Sequence, residues 1–142
     1  MVEHTGTDRA AIQAELVAMC EGHIANFDSY TEVINDHAKG HFARYGQEQG
    51  QRLTVAKYRS AGLTMEQIHN FYANILENAT KINPAYKQTK VAEEGHHNIY
   101  HTDAKAPWPI SNRSTFTCEY KIEHDGGFTY IQSSKGCDAY IA

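Results

Sequence analysis

Lys105-Ala106-Pro107-Trp108-Pro109-Ile110-Ser111-Asn112-Arg113 is the stretch that decides the fold. Two prolines bracket the only tryptophan. Neither proline can donate a backbone hydrogen bond, and each drives the residue before it to extended geometry, so no helix runs through here. A strand precedes it, with Ile99 and His101 alternating against Asn98, Tyr100 and Thr102. After it comes the clearest period-two run in the chain. Phe116, Cys118, Tyr120 and Ile122 alternate with Thr115, Thr117, Glu119, Lys121 and Glu123. His124-Asp125-Gly126-Gly127 supplies turn chemistry, because glycine takes positive φ without steric cost. A further strand follows, with Phe128, Tyr130 and Gln132 on one face and Thr129, Ile131 and Ser133 on the other. The region from His97 to Ser134 therefore reads as an antiparallel meander.

Outward from this region, Tyr86 to Val91 reads as another strand, and Glu93-Glu94-Gly95 as a solvated turn. Before it lies the sharpest helix start in the sequence. Thr64 and Gln67 stand in capping-box spacing, with Leu63 and Ile68 placed for a hydrophobic staple. Ile68, Phe71, Tyr72, Ile75, Leu76 and Ala79 predict one uninterrupted apolar stripe, closed by Asn83-Pro84. Further upstream, Glu32 to Ile34, His41 to Tyr45 and Arg52 to Tyr58 read as strands. Gly46-Gln47-Glu48-Gln49-Gly50 reads as a glycine-bounded loop between the last two. Thr7 and Asp8 are N-cap candidates for a first helix whose stripe is Ile12, Leu16, Met19, Cys20, His23, Ile24 and Phe27. The order is helix, three strands, helix, four strands: an α+β chain with a mostly antiparallel sheet, read as a single domain over residues 1–142.

The formal net charge is −4 and no basic stripe is visible, which argues against sequence-independent nucleic-acid binding. No apolar run approaches the roughly 18–20 residues needed to span a bilayer. The start, Met1 to Gly6, lacks the basic and apolar regions of a secretory signal. Three cysteines, Cys20, Cys118 and Cys137, without a CxxC pair, fit a reducing compartment, so the expected location is cytoplasmic.

Nine histidines raise the question of a metal. His37 and His41, like His97 and His101, are four apart, a spacing that joins ligands on a helix but leaves them about 13 Å apart on a strand. Both pairs fall in turns or strands, so no metal and no cofactor is expected. No GxSxG, catalytic cysteine signature or phosphate-cradling glycine loop is present, and no catalytic residue is assigned. The remaining feature is aromatic. Tyr100, Tyr120 and Tyr130, on adjacent strands, are placed either to line a cavity or to pack against the helices.

Asn98-Ile99-Tyr100-His101, Ala106 to Arg113, Phe116 to Tyr120 and the Gly126-Gly127 turn together resemble the START family of lipid-transfer domains, in the helix-grip superfamily. The strand Leu53 to Lys57 and the capped helix at Thr64 fit the same pattern, so the resemblance covers roughly residues 8–135. It implies a curved antiparallel sheet with an N-terminal helix and a helical segment after the third strand, and an apolar cavity that binds or transfers a lipid or other hydrophobic molecule without catalysis. It names Arg113, Tyr100, Tyr120, Tyr130, Phe116 and Trp108 as candidate ligand contacts, with Phe116, Tyr120, Phe128 and Tyr130 on one inner face. The sequence departs from the family in having Ser114 where Asp is usual, and in ending before the family's last strands and C-terminal helix. A shortened domain would leave a sheet face for a second copy or a partner protein to cover, with at most transient membrane contact. Two other readings follow: a START-like scaffold that serves as a subunit without lipid, and a cyclase or hydrolase of the wider superfamily.

Overall fold

The computed structural model describes residues 6–141. Among these residues the fold is α+β, with three α-helices and two antiparallel sheets. Where the sequence predicts one sheet, the strands form a three-stranded sheet, β1-β2-β3, and a four-stranded sheet, β4-β5-β6-β7. They belong to two compact units. One holds the described residues up to 13 together with those from 64 on; the other is residues 14–63. Helix α1 (Arg9–Ala25) carries the chain from the first unit into the second. It begins where Asp8 accepts the backbone N–H of Ala11 at 3.0 Å, as its capping role predicts.

In the smaller unit β1 (Thr31–Asp36), β2 (His41–Glu48) and β3 (Gln51–Tyr58) form a meander. The β2–β3 turn is tighter than the sequence predicts, since Gly46 to Glu48 lie within β2 and only Gln49 and Gly50 turn. Gly46 is there for space. A Cβ would stand 2.8 Å from the Tyr30 ring, so glycine marks a close approach inside a strand. Phe27, 4% exposed, anchors the unit, with the Arg44 guanidinium 5.1 Å and the Lys57 ammonium 4.1 Å from its ring centroid.

In the larger unit, α2 (Met65–Ala73) opens with the expected capping box, Thr64 and Gln67 bonding each other's backbone N–H. The predicted single helix is broken at Asn74, whose φ and ψ of −110° and 35° separate α2 from α3 (Ile75–Ile82). Asparagine amides cause this by competing for the backbone: Asn74 Nδ2 donates to Asn70 O and Asn78 Nδ2 to Phe71 O, both at 2.9 Å.

Strands β4 (Tyr86–Glu94), β5 (His97–Ala104), β6 (Arg113–His124) and β7 (Gly127–Ser133) follow as a meander in chain order. Two register details decide which side chains share a face. The register shifts between Lys90 and Ala92, so Glu94 and Ala92 lie on the face opposite to Lys90. The turn at Asp125-Gly126 pairs His124 with Gly127, which sets Lys121 opposite Tyr130 and Glu123 opposite Phe128. Phe128 and Tyr130 therefore share a face with Glu119. Phe116 and Tyr120 lie on the other, against the expectation of one aromatic face.

Candidate functional site

The face away from α2 holds most of the apolar core. Ile99, Cys118, Tyr120 and Cys137 are fully buried there. Its polar centre is Arg9, reached from the first turn of α1. The guanidinium donates twice to the Glu94 carboxylate, at 3.1 and 2.8 Å, and also to Tyr120 Oη, Lys135 O and Gly136 O. Tyr140 donates to Glu94 Oε2 at 2.6 Å. Glu94 thus leaves the solvated turn that its sequence neighbourhood predicts: the bulge before it turns it inward. Burial pulls the Arg9 pKa down, but the bonds to Glu94 and Tyr120 outweigh this and the net shift is upward. Gly136 permits the approach, since a Cβ there would lie 2.6 Å from Ile12 Cδ1.

The face toward α2 is built around Glu119, which is 3% exposed. Its Oε2 accepts from Tyr130 at 2.7 Å and Tyr100 at 3.1 Å, and its Oε1 accepts from Asn98 at 3.2 Å. Behind Tyr130 runs a chain of amides. Gln132 Nε2 donates to Tyr130 Oη at 2.7 Å, and Gln88 Nε2 donates to Gln132 Oε1 at 2.9 Å and to Thr102 Oγ1 at 3.1 Å. Gln88 Oε1 is buried with no hydrogen-bond partner among the described residues. Burial, reinforced by the Glu119 charge, pushes the Tyr100 pKa up to about 12 and that of Tyr130 well above the ordinary tyrosine value.

Tyr130 also faces outward into a cleft beneath α2. The Tyr72 ring lies 4.6 Å from Tyr130 and 5.6 Å from Phe128, centroid to centroid, and His69 packs 4.1 Å from Phe128. On one side of this stack is a cleft of about 110 Å³ lined by His69, Tyr72, Lys121 and Tyr130. On the other a wider opening of about 410 Å³ is lined by Met65, Ile68, Tyr72, Gly127, Phe128 and Tyr130. The smaller unit has its own open groove of about 620 Å³, between Ser29 to Thr31 and the β2–β3 end at Tyr45 and Arg52.

Of the sequence-predicted contacts, only Tyr100 and Tyr130 come together, on Glu119. Tyr120 and Phe116 lie on the opposite face, where Tyr120 serves Arg9 and Phe116 stacks at 6.3 Å from Tyr140. Arg113 is exposed at the start of β6, and Trp108 is 93% exposed in the β5–β6 loop. Sequence reasoning missed Glu119, Tyr72, Gln88 and Gln132. For Glu119 the signal was present, as an acid mid-strand between Thr117 and Lys121 in an otherwise regular alternation. His97 and His101 pack their rings on Tyr120 and Phe116. Among the described residues no group of three His, Cys, Asp or Glu is placed to hold a metal ion.

The fold thus defines an α+β protein with a helix-covered cleft on one sheet face. Compared with known proteins, the chain matches no family model, no curated protein and no solved structure.

Proposed function

We propose that this chain binds a lipid or other hydrophobic small molecule, without altering it chemically, in a helix-grip arrangement like that of START domains. The observation that carries the reading is the cleft between α2 and the β6–β7 hairpin. Its lining is mostly aromatic and apolar, with His69, Lys121, Glu123 and His124 as its polar members, and a buried hydrogen-bond chain leads inward from Tyr130. At about 410 Å³ the wider opening falls within the roughly 300–1,000 Å³ typical of small-molecule sites, whereas the narrow cleft alone does not. Each methylene removed from water there gains about 0.8 kcal/mol. The Tyr130 hydroxyl donates to Glu119 and accepts from Gln132, which leaves it one lone pair to accept from a headgroup donor. Glu119, held by three donors, is set to orient the two tyrosines and not to exchange a proton with the occupant.

Mass spectrometry of an organic extract of the purified protein, paired with uptake of a fluorescent acyl probe, tests this. The expected result is a stoichiometric apolar compound and probe uptake that falls at least about tenfold in Tyr72→Ala or Phe128→Ala, one aromatic contact being worth about 1.5–3 kcal/mol. Ligand-free protein with equal uptake by wild type and both variants would overturn it. If that empty protein forms a stable assembly, the scaffold reading takes its place.

A further inference from the structure

The β5–β6 loop presents its apolar side chains outward. Trp108 is 93% and Ile110 56% exposed, the largest fraction for any large apolar side chain in the described residues being that of Trp108. The loop is nonetheless ordered from within. Asn112 Oδ1 accepts the Ala106 N–H at 3.0 Å, Pro107 O accepts the Ile110 N–H at 2.9 Å, and Ala85 O accepts the Lys105 N–H at 2.9 Å. Proline at 107 and 109 further restricts it. A tryptophan held at a loop tip this way is displayed, where a mobile one would fold back on its neighbours.

The charge within the loop, from Ala104 to Arg113, has one sign. Lys105 and Arg113 flank it, both exposed, and neither side chain has a hydrogen-bond or ion-pair partner among the described residues. No acid occurs from Ala104 to Asn112. The preceding acid, Asp103, lies within β5, opposite Lys87 in register and 3.6 Å from His101. A chain with a net charge of −4 thus carries no acid within the loop that holds its most exposed indole, and a cation at each end of it.

We infer that this tip docks on an anionic membrane surface, with Trp108 and Ile110 in the headgroup region and Lys105 and Arg113 against lipid phosphates and carboxylates. Indoles favour that interface because one end is apolar and the N–H needs a polar partner. Flanking cations add attraction to the anionic leaflet. A folded protein partner is the poorer fit: an aromatic side chain brings about 150–250 Å², far below the roughly 800 Å² per side of a stable protein interface. A bilayer asks for no complementary pocket. The tip acts independently of what occupies the α2 cleft.

Trp108 is the only tryptophan, so its fluorescence reports on this loop alone. The probe is phosphatidylcholine vesicles carrying roughly 30% phosphatidylserine, at low salt, added to the full chain. The emission should start at the water-exposed wavelength, shift to the blue with vesicles, and be quenched by lipids brominated near the headgroup. Vesicles of phosphatidylcholine alone should give a weaker shift. Lys105→Gln and Arg113→Gln should each lower partitioning about fivefold. Trp108→Ala, followed by vesicle flotation, should lower it about tenfold or more. All three residues are exposed, so the variants keep the wild-type thermal midpoint, measured alongside. Unchanged emission with anionic vesicles would overturn the inference, as would equal flotation of wild type and Trp108→Ala. Emission already blue in the free chain would also overturn it, by showing that protein covers the indole.

Discussion

The two faces of the four-stranded sheet each bury a glutamate, and they do so by opposite means. Glu94 meets a full cation: Arg9 binds both of its oxygens, and backbone carbonyls and Tyr120 take up the remaining guanidinium hydrogens. Glu119 is surrounded by neutral donors, two tyrosines and an asparagine, with Lys121 Nζ at 3.5 Å on the more exposed side. A bidentate ion pair enclosed in this way is a lock, with no guanidinium hydrogen left for a ligand. A carboxylate held by hydroxyls takes up their hydrogens, but it ties them to side chains that have a second surface, and one of these, Tyr130, lines a cleft. Burial of an acid is common to both faces, and the partner chemistry tells the structural one from the candidate binding one.

The sharpest way to break the comparison is to remove the cation. Arg9→Ala leaves Glu94 buried without its charge partner and should cost about 3–5 kcal/mol in urea unfolding. Replacing the pair together, with Arg9→Met and Glu94→Leu, should recover most of that loss. A cost under about 1 kcal/mol for Arg9→Ala would mean the pair is no lock.

Glu119→Gln should cost less, about 1.5–3 kcal/mol, because hydrogen bonds to a charged acceptor are weakened and the only charge left without its partner, Lys121, is exposed. It also has a spectroscopic signature. Burial raises the Tyr100 pKa and the Glu119 charge adds to it, so in Glu119→Gln the tyrosinate absorbance should appear at lower pH than about 12, and still above 10.0. Tyr120, lifted to about 12 by burial on the other face, should titrate as before. These raised values set an alkaline limit as well. From pH 10.0 to about 12 the unfolded tyrosines have lost protons that the folded ones keep, so stability falls as pH rises through that window. Cys118, raised from 9.0 to about 11 by burial, starts the decline earlier. A flat stability curve from pH 9 to 11 would contradict this.

The smallest expected effect separates the faces by ligand response. Tyr120→Phe and Tyr130→Phe should each cost about 1.5 kcal/mol, the lower end for one hydrogen bond to a charged group, here Arg9 or Glu119. Only Tyr130→Phe should also change uptake of an acyl probe with a polar head. An equal effect of both variants on uptake would remove the distinction.

How much of this is legible in the sequence depends on the range of the signal. The capping box at Thr64, the β6 alternation and the Asp125-Gly126 turn are local patterns, and the structure keeps all three. The turn even contains the parity of the next strand. Pairing His124 with Gly127 puts Tyr130 opposite Lys121, so the aromatic residues of β6 and β7 fall on different faces. The irregularity after Lys90 has no such marker, and it alone decides that Glu94 turns inward. Asn74 reads as an ordinary polar position on a helix until its amide is seen bonding backward. The Arg9–Glu94 pair spans 85 positions, and among 13 cations and 17 acids nothing local selects those two. Candidate sites resting on one strand were therefore partly readable, and those needing two distant elements were not.

The Arg9 contacts set an order of events during synthesis. Its partners lie 85, 111, 126 and 127 positions further along the chain. At about 5–20 residues per second the guanidinium waits roughly 6–25 s after its own synthesis before Gly136 exists to meet it. Residues 14–63, by contrast, are all present long before that, and none of their sheet pairings needs a later strand. The strands of residues 14–63 thus have all their partners before Gly136 is made, whereas Arg9 can complete its bonds in the larger unit only after it.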